Sequence, residues 1–485
     1  MRIVNYIKPM RSTLCLAATA VAVCVSLQAQ QPPILGSPEP AARGAKAFAG
    51  DRIFQTTKVH RLHLTISAAE WAVLQTSSQR GGGAVGGSDY RDSSGRLIHA
   101  GSGFVGYFPW VRSDVRIPDG TGAVSIKDAG LRYKGNLSFA RSSAAAPLFA
   151  NFKLKFDVHG TKGTWDGEKT FNLHAGVIDT SKMKDAIGFA VFRGAGVPAS
   201  RTAFTEIIFT VPGVYNEVSG GTYTIIEDVN KKFLERVLPP GAGLMMKPEG
   251  NRGGVQYKGE TWAQYAPTLR PDRDATPREQ QRVMDFSKLC SQSDAATFRA
   301  QIDGYLDVDE FLRFIAVNAL LVNSDSYIGG GHNFFFYLDS VDDKFRFLPW
   351  DLDLSMNNRG GLMGDVQILA RPSVAGGGDP VGTVRFVGNT AVPTVTTVNG
   401  GGQMDLLRPY SGDHPLIRRV LEIPEYAELY KNILRELSEK AFTAGELIPM
   451  IDAMEKVGTG RGASPRAFIE TRTAYLQQLV AGWQK

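Results

Sequence analysis

The chain has 485 residues, room for one large domain or two ordinary ones, and its composition (43% hydrophobic, 21% charged) is typical of a globular protein. Its net charge of +6 includes Arg2, Lys8 and Arg11 of a segment that we expect to be removed, so charge gives no case for nucleic-acid binding. Of three cysteines only Cys290 lies outside that segment, which argues against an internal disulfide and a cysteine-based metal site.

Residues 1–30 have the pattern of a secretory signal peptide. The basic residues precede an apolar run over Leu14–Leu27, and Ala29 supplies a small residue for cleavage. Residues 31–57 predict a flexible linker, and no later apolar run has membrane-spanning length. We therefore expect a secreted, periplasmic or cell-surface protein without a transmembrane segment after cleavage.

The first folded elements are predicted from alternation and capping. Val59–Ile66 alternates at period two and predicts a strand. Ser67 and Glu70 form a capping-box pattern that predicts a short helix through Leu74. Residues 80–122 are rich in Gly, Ser and Asp and predict a long loop; Gly101–Gly106 matches G-x-G-x-x-G there but lacks the strand and helix that a dinucleotide site requires.

The remaining elements are predicted in the same way. Strands are expected at 129–133, 151–158, 169–173, 203–210, 221–226, 333–338 and 344–348. Helices are expected at 181–193, 230–237, 307–323 (capped by Asp307 or Asp309), 415–422, 426–440, 444–457 and 465–483. Residues 255–300 look polar and peripheral, and 359–403 look like a Gly-rich flap. The order predicts an α+β fold with a mostly antiparallel N-terminal sheet and a helical C-terminal part.

Two carboxylates follow the last predicted strand. The apolar stretch from Lys344 ends at Trp350 and is followed by Asp351 and Asp353, whose i, i+2 spacing lets both reach one cation. A strand-end turn with solvated acids is the ordinary alternative. Because the apolar approach indicates partial burial, unpaired carboxylates would be costly there, and a bound cation or strong donors are expected.

A third acid follows the predicted helix 307–323. Asp325 precedes a Gly-rich loop and Asn333. An Asp that takes a hydroxyl proton, together with an Asn and a second Asp on a metal ion, forms the usual phosphoryl-transfer set. An Asx turn after a helix is the alternative for Asp325 taken alone.

Lysines on strands are candidates for phosphate binding. Lys153 and Lys155 alternate with apolar residues, and Lys247 follows an apolar segment. Arg132 and Lys134 alternate in a similar way before Gly135 and Asn136. Glu227 could pair such a lysine. The histidines have no metal-ligand spacing, and His159 and His174 are expected on strand surfaces.

An ordered series of stretches resembles the CotH kinase family, named for a spore coat protein H. They are Leu131–Ser138, Asn151–Asp157, Phe171–Leu173, Phe192–Arg201, Tyr223–Val229, Leu244–Lys247, Asn323–Tyr327, His332–Asn333 and Pro349–Asp353. The resemblance covers roughly residues 125–360. We expect one kinase-like domain over 58–410, with Gly-rich insertions at 80–122 and 359–403, and a helical region over 411–485 packed on the same domain. The insertions could be lids or could indicate a different substrate.

The resemblance also implies a chemistry. It is that of an atypical secreted protein kinase that uses ATP and Mg²⁺, or Mn²⁺, to phosphorylate Ser or Thr of a secreted or surface protein. Asp325 would be the catalytic Asp, Asp351 the metal ligand with Asp353 a close second, and Asn333 a metal or phosphate partner. Lys153 and Lys155 both remain open as the phosphate lysine, Lys247 is a further candidate, and Glu227 is a structural partner.

Three other functions compete with this one. A haloacid dehalogenase-type phosphatase would use Asp351 as nucleophile and Asp353 as acid, but the later lysine and acid pair in an α/β array are not evident. A D-x-D glycosyltransferase would use both acids to hold a nucleotide-sugar through a metal ion. A non-catalytic secreted binding or surface-structural protein on the same scaffold is the alternative from another class.

Overall fold

The computed structural model describes residues 48–81, 89–101, 104–119, 122–142, 146–248, 255–357, 404–410, 412, 414–458 and 460–483. The predicted signal peptide and the Gly-rich segment 359–403 lie outside the described residues. Within these ranges, none of the helices has both the length and the apolar character needed to cross a bilayer. Ile53 is fully buried, so the folded part of the chain begins before the predicted boundary at residue 58.

The strands of the described residues are β1 Val59–Thr65, β2 Ser78–Gly81, β3 Tyr90–Arg91, β4 Leu97–Gly101, β5 Phe104–Tyr107, β6 Val111–Pro118, β7 Ala123–Tyr133, β8 Phe152–Lys155, β9 Thr170–His174, β10 Thr202–Val211, β11 Tyr215–Glu227, β12 Leu244–Met246, β13 Phe334–Leu338 and β14 Phe345–Pro349.

The helices are α1 Ala68–Gln75, α2 Leu137–Ser142, α3 Lys184–Gly194, α4 Lys231–Val237, α5 Ala266–Leu269, α6 Pro277–Gln292, α7 Ala295–Tyr305, α8 Val308–Leu320, α9 Pro415–Leu421, α10 Pro424–Glu439, α11 Ala444–Lys456 and α12 Arg466–Gly482. Their order confirms the α+β class.

Seven strands close into a barrel, in the order β1-β10-β11-β9-β8-β7-β6. Neighbours pair antiparallel except β1 and β10, which run parallel from Val59 opposite Phe204. The predicted antiparallel sheet is therefore a closed barrel, which leaves no free edge between first and last strand. Its interior is a core of alternating side chains, among them Leu62, Leu131, Phe152 and Ile225.

A second, larger core joins the helices to a three-stranded antiparallel sheet, β12-β13-β14. Helix α8 begins at its cap Asp307, whose Oδ1 accepts the N–H of Glu310 at 3.2 Å, and nine of its apolar side chains are buried. The hairpin of β13 and β14 pairs Phe334 with Pro349, so residues 333 and 350 emerge at the same end. That end carries the candidate site.

Several expectations were wrong. Residues 80–122 hold most of strands β2 to β6 rather than a loop, and β6 completes the barrel. Residues 255–300 are not peripheral, because Val283 and Phe286 of α6 and Phe298 of α7 are buried in the helical core. Half of the capping box forms: Ser67 accepts the N–H of Glu70, but the Glu70 carboxylate accepts the N–H of Arg112 instead.

Candidate active site

The loop after α8 brings Asp325 and Asn333 together. The Asn333 Nδ2 donates to Asp325 Oδ2 at 2.9 Å and to the Asp325 carbonyl at 2.8 Å. Asn333 and Val322 both have left-handed backbone (φ 55° and 50°), a strained conformation for the β-branched valine. The side-chain amide of Asn333 thus holds two oxygens of Asp325, the backbone carbonyl oxygen and Oδ2.

His332 holds the other oxygen of Asp325. Its Nε2 lies 2.5 Å from Asp325 Oδ1. Burial disfavours the imidazolium, but the hydrogen bond and the charge of Asp325 outweigh burial and raise the pKa of His332. The short contact with His332 therefore fixes the orientation of the Asp325 carboxylate.

The turn that carries Asp351 is held against α3. Asp351 itself has left-handed backbone (φ 56°). The N–H of Leu352 donates to Asp185 Oδ1 at 2.9 Å. One turn further along α3, a Cβ on Gly188 would lie 2.6 Å from Leu352 Cδ1, so only a glycine leaves room for this side chain. The backbone of Trp350 also donates to the Asn333 carbonyl at 3.2 Å, which joins the two loops.

Ligand atoms of His174, Asp185 and Asp351 lie within 4.8 Å of one another, close enough to share one metal ion. Burial above all raises the pKa of Asp351; His174 and Lys134 oppose this shift, while the charges of Asp185 and Asp325 add to it. Burying these carboxylates close together costs free energy, and a bound divalent cation would offset that cost. Mg²⁺ and Mn²⁺ prefer oxygen ligands, and Mn²⁺ also accepts imidazole.

Asp353 lies beside this group but in a different environment. Burial raises its pKa well above the ordinary value, and the charges of Asp351, Asp185 and Asp179 add to the shift. It lines a small cavity of about 10 Å³ together with His174 and Asp185. Such a cavity has room for about one water molecule or ion, so a nucleotide would have to lie outside it.

A lysine reaches the same group from the end of β7. Lys134 Nζ lies 2.9 Å from His174 Nε2, donates to Asn172 Oδ1 at 3.3 Å, and lies 5.1 Å from the centre of the Trp350 ring. Burial lowers the pKa of Lys134 to about 7, with Asp351 opposing the shift and Lys153 and Lys247 adding to it. On its other side, His174 Nδ1 lies 3.1 Å from Asp185 Oδ2.

The predicted phosphate lysines have other partners. Lys153 donates to Asp228 Oδ1 at 2.8 Å, and Lys155 lies 3.6 Å from Asp157. Lys247 lies 5.6 Å from the centre of the Trp350 ring, next to the turn. Glu227 pairs with arginines rather than with a lysine: it binds Arg201 and Arg236.

The structure therefore brings together Asp325, Asn333 and Asp351, with Asp353 and Lys247 at their border. It adds His174, Asp185 and His332, which were not predicted as site residues, and Lys134, which the sequence indicates only as a strand cation beside Arg132. His174 was expected on a strand surface but is buried, because both faces of β9 are covered. His159 lies in the turn after β8 rather than on a strand.

A family model described as CotH kinase protein matches residues 131–459, more than half of the chain. This range includes every residue gathered at the site, from Lys134 to Asp353. The chain is also similar to inner spore coat protein H of Bacillus subtilis (strain 168). The two are 21% identical over 295 residues, which cover 60% of this chain and 68% of that protein.

Proposed function

This chain belongs to the CotH kinase protein family, and from that premise we propose that it is an ATP-dependent protein kinase that transfers the γ-phosphoryl group to Ser or Thr of a protein substrate. One observation carries the proposal. Two pairs of residues from separate parts of the chain meet at one end of the β13–β14 hairpin: Asp325 with Asn333, and Asp351 with Asp185. These are the residue types that phosphoryl transfer needs.

In this proposal Asp325 accepts the proton of the attacking hydroxyl. Its carboxylate is held at both oxygens, by His332 and by Asn333, so its position is fixed before a substrate arrives. The raised pKa of His332 favours the imidazolium, whose charge would offset that of Asp325. His332 is thus a positioning residue for the base.

Asp351 and Asp185 would hold Mg²⁺ or Mn²⁺, with Asn333 and Asp353 as nearby oxygen donors. The bound cation would neutralise the charge that builds on the phosphate oxygens. The three ligand atoms within 4.8 Å support this assignment. The α3 contacts to Leu352 would keep Asp351 at its place while the cation exchanges.

The proposal includes two further points. We propose that the barrel and the helical part correspond in role to the two lobes of a protein kinase, with the site where the two cores meet. We also propose that the protein is exported, on the strength of the signal-peptide pattern in residues 1–30 and of a relative that is by name an inner spore coat protein. The substrate would then be a secreted or surface protein.

The test is phosphoryl transfer from ATP labelled at the γ-phosphate, with Mg²⁺ or Mn²⁺, to the protein itself and to candidate substrates. Asp325→Asn and Asp351→Asn are the informative variants, because Asn retains the size of the side chain and, at 351, tolerates left-handed backbone. Glu470→Gln removes one charge from an exposed position on α12 and serves as the matched control.

We expect label on the wild type and on Glu470→Gln, and at least about a hundredfold loss in both Asp variants. Label that survives in both Asp variants would sink the kinase proposal. Label from the adenosine moiety instead of the γ-phosphate would mean nucleotidyl transfer. A folded wild type with neither label nor an ATP-dependent thermal shift would favour the non-catalytic binding or structural role.

A further inference from the structure

The positive charge of Lys134 has no direct counter-charge. Its two hydrogen-bond partners, His174 Nε2 and Asn172 Oδ1, are an imidazole nitrogen and an amide oxygen. A lysine ammonium has three donors and no acceptor, so Nε2 must accept and the Nδ1 of His174 carries the proton toward Asp185. Within the described ranges, no carboxylate lies within ion-pair distance of Lys134, although the side chain is partly buried.

The neighbouring lysines differ in this respect. Lys153 has a carboxylate partner, Asp228, which also accepts from Asn172 at 3.0 Å. Lys155 has Asp157 nearby and is 44% exposed. Lys134 thus lacks the ion-pair partner that each of these lysines has. Asp351 and Asp228 favour its charged form only from a greater distance, so an anion bound directly beside the ammonium would stabilise it.

The location of Lys134 indicates which anion this would be. Its ammonium and that of Lys247 lie 5.1 and 5.6 Å from the centre of the Trp350 ring, and Trp350 immediately precedes Asp351. His174 also lies 3.1 Å from Asp185, so its contact with Lys134 places the ammonium one residue away from the carboxylates that would hold the cation, Asp185 and Asp351. An anion held here would share the space with a divalent cation, as the phosphates of a metal–polyphosphate complex do.

We propose that Lys134, rather than Lys153 or Lys155, is the lysine that binds the phosphate chain at this site. The inference deepens the proposed function and rests on it for the identity of the ligand as a nucleoside triphosphate. The anion binding itself does not depend on phosphoryl transfer. His174 and Asn172 orient the ammonium. Because Lys134 directly follows β7, its backbone lies at the rim of the barrel.

The test measures the binding of inorganic tripolyphosphate by titration calorimetry, with Mn²⁺ present, to the wild type and to four variants. Lys134→Met removes the charge and retains an apolar stem. Lys134→Arg retains the charge but replaces a compact ammonium with a planar fork. Lys153→Met tests the rival lysine, and Lys231→Met removes a lysine with 79% side-chain exposure as the control.

We expect Lys134→Met to weaken tripolyphosphate binding about ten- to a hundredfold, the range for a lost hydrogen bond between charged groups. Lys134→Arg should recover part of the affinity, and Lys231→Met should bind as the wild type does. Thermal unfolding of each variant establishes that the protein measured is folded. Lys153→Met should retain most of the affinity.

Three results would overturn the assignment: no tripolyphosphate binding by the wild type, unchanged binding by Lys134→Met, or an equal loss in folded Lys153→Met. The labelling experiment with ATP separates this inference from the proposed function. Binding that depends on Lys134 without any transfer of label would leave the anion site standing and remove the kinase. Transfer of label that Lys134→Met leaves unchanged would leave the kinase proposal standing and remove the assignment of Lys134.

Discussion

One carboxylate of Asp185 connects the turn of Asp351 to the barrel. Its Oδ1 accepts the N–H of Leu352 at 2.9 Å, and its Oδ2 lies 3.1 Å from the Nδ1 of His174 at the end of β9. Because Asp185 stands in the first turn of α3, the helix sets the distance between a strand of the barrel and the candidate cation ligand. The site therefore depends on how closely the turn packs against α3.

The packing of Leu352 against Gly188 can be tested directly. An added Cβ at position 188 would lie 2.6 Å from Leu352 Cδ1, so Gly188→Ala must shift the buried Leu352 side chain, and we expect the turn to move with it. The helix gains about 1 kcal/mol from the substitution, but overpacking costs about 1–3 kcal/mol, so we expect a net loss of stability. We also expect Mn²⁺ affinity to fall, measured by paramagnetic resonance.

The double variant Gly188→Ala, Leu352→Ala provides the control for this prediction. Removing the leucine side chain makes room for the new Cβ, so the two stability changes should not add in urea denaturation. Full additivity, or a Gly188→Ala protein with wild-type Mn²⁺ affinity, would contradict the packing argument.

Asp351 and Asp353 should contribute unequally to cation binding. Asp351 shares a cluster of ligand atoms with His174 and Asp185, whereas Asp353 borders that cluster among like charges. We expect Asp351→Asn to weaken Mn²⁺ binding more than tenfold and Asp353→Asn to weaken it less. Calorimetric titration with Mn²⁺ measures the affinity of both variants, with Glu470→Gln as the control. A greater loss of Mn²⁺ affinity in Asp353→Asn than in Asp351→Asn would make Asp353 the principal ligand.

Glu310 predicts a pH dependence of stability that is independent of the site. Burial raises its pKa well above the ordinary value, the charge of Asp307 adds to this, and Arg346 opposes it. A raised carboxyl pKa means that the folded state binds the proton more tightly than the unfolded state does. The stability that protonated Glu310 contributes is therefore lost as pH rises from about 4.5 through the folded pKa.

Glu310→Gln removes that titration. Its amide oxygen can still face the N–H of Phe347, which lies 3.5 Å from Glu310 Oε2. We expect the variant to be more stable than the wild type by at least about 1 kcal/mol at pH 8, with the difference shrinking toward pH 4. Urea denaturation across this pH range measures it; a difference that does not change with pH would rule out the titration of Glu310.

The pair of Lys153 and Asp228 predicts a pH dependence of stability opposite to that of Glu310. Burial opposes ionisation of Asp228, but Lys153 and Asn172 outweigh it and lower its pKa. The pair therefore contributes stability above about pH 4 that is lost as pH falls through the folded pKa. Lys153→Met should cost about 1–3 kcal/mol at pH 7, since it leaves a largely buried carboxylate without its cation.

The double variant Lys153→Met, Asp228→Asn checks this explanation. Asn at 228 has no charge to leave unpaired, so the double variant should be more stable than Lys153→Met alone at pH 7. If adding Asp228→Asn makes the protein less stable still, the cost of Lys153→Met comes from lost packing rather than from the carboxylate.

The acids of the site could be predicted from the sequence because each follows a regular element whose pattern is clear. Asp325 comes after an amphipathic helix, and Asp351 comes after an apolar strand. Their partners could not be predicted in this way. Lys134 follows β7, His174 ends β9 and Asp185 lies in the first turn of α3. The pairing of β7, β8 and β9 brings the first two together, and the position of α3 against the barrel adds Asp185.

Periodicity failed where its physical basis is absent. Strand β9 is buried on both faces, so alternation gives no sign that His174 is inside. In the region of β2 to β5, glycine and serine hide the alternation that strands usually show, whereas β6 alternates buried and half-buried or exposed residues and could have been recognised. Helix α6 looked peripheral because its polar face is wide, although Phe286 is fully buried.

The parallel contact between β1 and β10 has a consequence for folding. Val59 and Phe204 are distant in sequence, and closing so long a loop is slow because its entropy is lost before the contacts form. Until β1 inserts between β6 and β10, both strands present unpaired backbone groups that can recruit other chains. Refolding from denaturant should therefore give its highest yield at low protein concentration, where closure of the barrel outpaces association.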